Sequence, residues 1–167
     1  PWLWEQLVKT SQPTQQMGFI VAPGVADLAR HRKPSTYIRR VEAGSEIILE
    51  MTLVEPANLT LLARETDGTV VCFCPSAEYA PKSHLSAGIH QLPQPQQREG
   101  TYQTFAVEDI GREQWLALLT PQKPPLDWLE QSRWETLELQ QSQLQEMFEY
   151  VNKTPQARLL YTEYEVV

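Results

Sequence analysis

The chain has 167 residues, 41% of them hydrophobic and 21% charged, a balance that fits one domain able to bury a core without disulfide or metal staples. Its formal net charge of −7 and isoelectric point near 5.0 argue against general nucleic-acid binding, because phosphates reward a surplus of Lys and Arg. No run approaches the roughly 18 to 20 apolar residues of a membrane span.

The first 16 residues predict a short helix and then a loop. Trp2, Leu3 and Leu7 form an apolar patch, and Ser11-Gln12-Pro13-Thr14 breaks the pattern. Pro1-Trp2-Leu3-Trp4 lacks the basic region and long apolar core of a signal peptide. A start at proline suggests a piece of a longer polypeptide or a trimmed product. Met17 to Val21 reads as a strand closed by Ala22-Pro23-Gly24, and residues 25–35 are ambiguous.

Glu46 to Leu53 alternates, with Ile47, Leu49, Met51 and Leu53 on one face, as a half-buried strand requires. Leu59 to Glu65 and Val70 to Cys74 are the next strands. Asp67-Gly68 between them is a strong hairpin signal, expected as a two-residue type I′ turn. That register sets Ala63 opposite Cys72 and Leu61 opposite Cys74. Both thiols then share a face with Leu59, Leu61 and Ala63.

A Pro- and Gln-rich stretch runs from Pro75 to Gly100, with a short strand at Gly88 to Leu92 and an extended loop at Pro93-Gln94-Pro95-Gln96-Gln97. Thr101 to Val107 and Gln114 to Thr120 predict two more strands around a turn at Asp109-Ile110-Gly111. The second carries apolar residues on both faces. Pro124-Pro125 opens a short helix through Leu129. Ser132-Arg133-Trp134-Glu135 has the spacing of a capping box, starting a helix whose stripe is Leu137, Leu144, Phe148 and Val151. Trp128 and Trp134 are expected to help dock it. Asn152 and Pro155 end it, and Ala157 to Val167 predicts a last strand.

The fold expected is mostly β (all-β or α+β): an antiparallel β-sandwich-like domain with a C-terminal helix. It is read as a single domain over 1–167, with an N-terminal helix and strand extension at 1–40, a β core at 41–120, and a helix and final strand at 121–167.

Little chemistry stands out. Cys72 and Cys74 lack the spacing of a redox or zinc pair, and His31, His84 and His90 sit in unrelated contexts, so neither metal nor cofactor is expected. Two cysteines one residue apart make a poor disulfide, which favours a reducing, cytoplasmic compartment. The glycines are spaced like turns and form no phosphate cradle. The basic cluster Arg30, His31, Arg32, Lys33, followed by Arg39 and Arg40, is a candidate patch for an anionic partner, set against a plain solvated loop.

From Val41 onward the chain resembles a family of uncharacterised bacterial accessory domains, often appended to kinase-like or caspase-like signalling proteins. The likeness rests on Val41-Glu42-Ala43-Gly44 before an alternating strand, Leu59 to Leu62 followed by Asp67-Gly68, and Cys74-Pro75. It continues through Leu85-Ser86-Ala87-Gly88 to Leu92-Pro93 and Leu116-Ala117-Leu118-Leu119-Thr120, covering residues 41–120. The resemblance implies a β-sandwich-like accessory domain with no known activity.

The function expected is therefore non-catalytic: protein interaction or ligand sensing for a larger bacterial protein, with a protein partner or the parent chain as the target. Two alternatives stand beside it. One is a small hydrolase or thiol enzyme using Cys72 or Cys74 with His84 or His90; the other is a purely structural scaffold.

Overall fold

The computed structural model describes residues 2–22 and 37–167. Helix α1 (Trp2–Thr10) opens the chain, followed by strands β1 (Gln12–Pro13), β2 (Met17–Val21), β3 (Arg40–Val41), β4 (Glu46–Leu53), β5 (Ala57–Arg64) and β6 (Val70–Cys74). Then come β7 (His84–Leu85), β8 (Gly88–Leu92), β9 (Phe105–Ala106) and β10 (Gly111–Thr120). Helix α2 (Trp128–Trp134), strand β11 (Leu137–Glu138), helix α3 (Gln141–Lys153) and strand β12 (Arg158–Val166) complete it.

The strands form two sheets. The larger runs β1-β12-β10-β5-β6-β11, with β3 also on β12 and β7 on β5; the smaller runs β2-β4-β8, with β9 on β4. The pairs β10–β12, β5–β10 and β5–β6 are antiparallel, and β1 and β3 join β12 in parallel. One face of the larger sheet packs on the smaller sheet: Leu59, Leu61, Trp115 and Ala117 meet Phe19, Ile47, Leu49 and Met51. The opposite face carries Leu62, Leu116, Leu118 and Leu159, which lie beneath the helices against Leu7, Leu129, Leu144 and Met147. This explains why β10 is apolar on both faces over Trp115 to Leu119: a sheet buried on both sides loses the alternation of a half-solvated one. The mostly-β sandwich with a C-terminal helix is the architecture observed, with α1 and α2 joining α3 in a third layer.

Several local expectations are corrected. The hairpin after β5 has a three-residue loop, Thr66 to Gly68: the Glu65 amide donates to the Thr69 carbonyl at 2.8 Å and the Gly68 amide to the Glu65 carbonyl at 2.9 Å. Gly68 takes φ +92°, while no described non-glycine residue has a positive φ. A type I′ turn would force Asp67 into the left-handed region, whereas this loop asks that only of glycine. The extra residue sets Ala63 opposite Val71 and Leu62 opposite Cys72; an irregularity at Phe73 then restores Leu61 opposite Cys74. The two cysteines therefore lie on opposite faces, Cys72 under the helices and Cys74 in the sandwich.

Ser132 does not cap a helix. It lies in the last turn of α2, fully buried, and its hydroxyl donates to the Pro75 carbonyl at 2.7 Å. Leu137 belongs to β11, opposite Cys72, and the long helix starts later with a capping box between Gln140 and Gln143. Trp128 is buried, but Trp134 is 74% exposed; in α1 Trp4 is buried and Trp2 exposed. Within 101–107 only Phe105–Ala106 pairs as a strand. No helix among the described residues is long and apolar enough to cross a membrane.

Candidate functional site

The residues singled out by sequence do not converge. Both thiols are fully buried, and their hydrogen bonds go to backbone carbonyls: Cys72 Sγ to Cys74 at 3.2 Å, Cys74 Sγ to Leu59 at 3.5 Å. Burial pushes the Cys72 thiol up to about 12 and raises Cys74 well above its ordinary value, so both are held as neutral thiols. His84 is exposed, and His90 places Nε2 2.7 Å from the Ser86 carbonyl. No group of three or more His, Cys, Asp or Glu among the described residues is placed to hold a metal ion. Arg30, His31, Arg32 and Lys33 lie outside the described residues, whereas Arg39 and Arg40 are exposed at the entry to β3.

The structure instead gathers polar residues at one end of the larger sheet, on its helix-facing side. Pairing puts Glu163, Gln114 and Arg64 in one row across β12, β10 and β5, and Arg40, Glu165 and Arg112 in the next across β3, β12 and β10. Directly below, the row Tyr161, Leu116 and Leu62 begins the apolar part that the helices cover. Because neighbours in register share a face, the polar rows form a floor that continues the buried face outward.

Helix α1 walls this floor and the β5–β6 turn rims it. The resulting cleft of about 680 Å³ is lined by Trp4, Val8, Lys9, Arg64, Arg112 and Gln114, with Glu5, Glu165 and the turn residues Glu65, Thr66 and Gly68 around them. That volume falls in the range typical of ligand pockets.

Gln114 organises the cleft. Its Oε1 accepts from Trp4 Nε1 at 3.1 Å, which ties α1 to the sheet, and its Nε2 donates to the Tyr161 hydroxyl at 2.7 Å. Tyr161 in turn donates to Glu163 at 3.0 Å, and Glu163 pairs with Arg112 at 3.4 Å. Burial foremost pushes the Tyr161 phenol up to about 12, so it keeps its proton and serves as the donor.

Arg64 stands apart from this chain. The residue is half-buried, and its guanidinium reaches toward the turn at Gly68 and finds only Gln114 Oε1, at 3.5 Å. Of the three ion pairs among the described residues, none includes it. Glu65, its neighbour in sequence, turns to the opposite face, where burial first and then repulsion from Glu113 and Asp67 raise its carboxyl above the ordinary value. Glu113 on that same face is raised too, chiefly by burial, although the Tyr164 hydroxyl donates to it.

The sequence reading had found neither Arg64 nor Arg112. The available signal was the polar run Arg112-Glu113-Gln114 directly ahead of an apolar strand, which extends β10 three residues beyond where its hydrophobic pattern starts. No family model, curated protein or solved structure matches the chain.

Proposed function

We propose that this chain is a non-catalytic accessory domain of a larger bacterial protein, and that it docks a protein partner or a segment of its parent chain in the cleft beside α1. One observation carries the reading: Arg64, a half-buried residue, lines that cleft with no carboxylate within 4.0 Å of its guanidinium among the described residues. A cation in a cleft without a counter-charge is stabilised when a ligand supplies one. The bacterial and accessory parts of the reading rest on the likeness over residues 41–120. The burial of both thiols and their carbonyl partners weigh against the thiol-enzyme alternative.

The test is to titrate the isotope-labelled chain with a defined set of short capped peptides of differing charge and to map amide shifts by NMR. Shifts should cluster on α1, the β5–β6 turn and the start of β10. They should vanish when a bulky maleimide is attached through Lys9→Cys, the native thiols being buried. Shifts that are absent, or scattered away from the cleft, would end the reading.

A further inference from the structure

The cleft is less acidic than the chain as a whole. The whole sequence carries −7, yet the lining sets three cations, Lys9, Arg64 and Arg112, against Glu5, Glu165 and, at the turn, Glu65, with Arg40 and Glu163 flanking it on β3 and β12. The Glu65 side chain follows Arg64 along β5 and so turns toward the other face of the sheet, where Glu113 repels it. Of the four cations, Arg112 alone is ion-paired among the described residues. Arg40, paired with Glu165 across β3 and β12, sets a further cation at the margin of the floor.

The guanidinium of Arg64 has five N–H donors in a planar fork, and one weak contact to Gln114 leaves most of them unspent. Its setting in a cleft matters, because a cation beside low-dielectric walls gains more from a partner than one in open water. The wall beside it is mixed: Val8 is half-buried and Lys9 exposed, so an occupant meets an apolar spot next to a charge.

We infer that the cleft takes an acidic peptide segment of a partner protein, one side-chain carboxylate being held by the Arg64 fork while Arg112, Arg40 and Lys9 supply the surrounding positive field. The inference rests on the cleft being the docking site proposed above. Arg64 is the anchor and sets specificity for a planar, two-oxygen group. The other three cations steer the segment and are screened by salt.

Fluorescence anisotropy with a capped peptide carrying two glutamates, its glutamine counterpart and its lysine counterpart tests the assignment. The acidic peptide should bind, and the glutamine counterpart should bind about tenfold more weakly, the effect of losing one charge-assisted hydrogen-bond pair. Arg64→Gln should give a loss of similar size. Arg64→Lys should not rescue it, because an ammonium keeps the charge but not the fork. Arg112→Gln, at an exposed position, should lower affinity less and flatten the salt dependence. Thermal melts establish that each variant is folded.

Equal affinity for all three peptides within the cleft would overturn the carboxylate assignment while leaving the docking reading standing. So would an unaffected Arg64→Gln variant. Inorganic phosphate competing as well as a capped glutamate would also overturn it, in favour of a general anion site. Failure of every peptide to reach the cleft would remove the docking reading together with the inference.

Discussion

Gly18 offers the sharpest test of how the smaller sheet is covered. It lies in β2 opposite Glu50, and its φ is not positive, so the backbone itself admits alanine. Space does not. A Cβ built there falls 2.1 Å from Tyr37 Cδ2, 2.2 Å from Cγ and 2.7 Å from Cβ, where carbon pairs settle at roughly 3.5 to 4.0 Å. The Tyr37 ring would have to withdraw by more than an ångström. That motion strains its hydroxyl bond to Glu50 Oε1, 2.9 Å long, and the Ile38 amide bond to the Phe19 carbonyl that holds the segment. Overpacking of this kind costs about 1–3 kcal/mol. For a chain of this size each kcal/mol is worth roughly 2–4 °C in Tm, so Gly18→Ala should melt about 4–8 °C lower for a mid-range cost. Scanning calorimetry and urea titration at unchanged slope measure it. Tyr37→Gly removes all three clashing carbons; in that background Gly18→Ala should become neutral or gain roughly 0.5–1 kcal/mol, the usual benefit of alanine over glycine in a strand. A single Gly18→Ala variant as stable as the parent would refute the placement of the ring.

Three further outcomes are expected. Folded Glu113 has its carboxyl raised above the ordinary 4.5, mainly by burial, so its favourable contribution is present below that value and is lost as pH rises through the raised one; Glu65 acts in the same direction. Glu113→Gln, which can still accept from Tyr164, should therefore gain in Tm over the parent at pH 7 and lose that gain toward pH 4; a gain independent of pH would disprove the titration. A thiol reagent should label neither Cys72 nor Cys74 in the native chain and both in denaturant, and prompt native labelling would contradict their burial. Ser132→Ala should cost about 1–3 kcal/mol by leaving the Pro75 carbonyl unpaired, whereas Glu135→Ala should change little; equal losses from both would revive a capping box at that site.

What the sequence made legible follows from what carries a period. Strand β4 was readable because Ile47, Leu49, Met51 and Leu53 alternate over eight residues, and the core of β10 because an unbroken apolar run implies cover on both faces. The two-residue strands β1, β3, β7, β9 and β11 are too short to show any period, and only their neighbours define them. Leu137 illustrates the consequence: read along the chain it continues the stripe of α3, yet β6 pairs with it across a long separation. The hairpin was found from Asp67-Gly68 and misregistered by one residue, because the dipeptide marks the turn without counting its loop. Two cysteines one residue apart share a face in any regular strand, and it is the irregularity at Phe73, invisible in the residue pattern, that turns Cys72 and Cys74 to opposite faces.

The cleft was hidden for a related reason. It is made of register, not of a motif. Arg64, Gln114 and Glu163 are far apart in sequence and form a row only because β10 pairs with β5 on one side and β12 on the other. Helix α1 reaches this end of the sheet only through Trp4 and the side chains that line the cleft, Glu5, Val8 and Lys9. The bond from Trp4 to Gln114 marks a boundary on this face: inward of it lie Leu62, Leu116 and Leu118, and outward of it β12 and β10 carry Glu165 and Arg112. A sheet end that merely needed solvation could be met by flexible, fully exposed charges. Here Arg64, a half-buried residue, lines the cleft without a counter-charge among the described residues, while its neighbour Arg112 pairs with Glu163. That asymmetry between two arginines on one floor is what the docking proposal rests on, and it makes Arg64, more than the exposed Arg39 and Arg40, the residue that tests it.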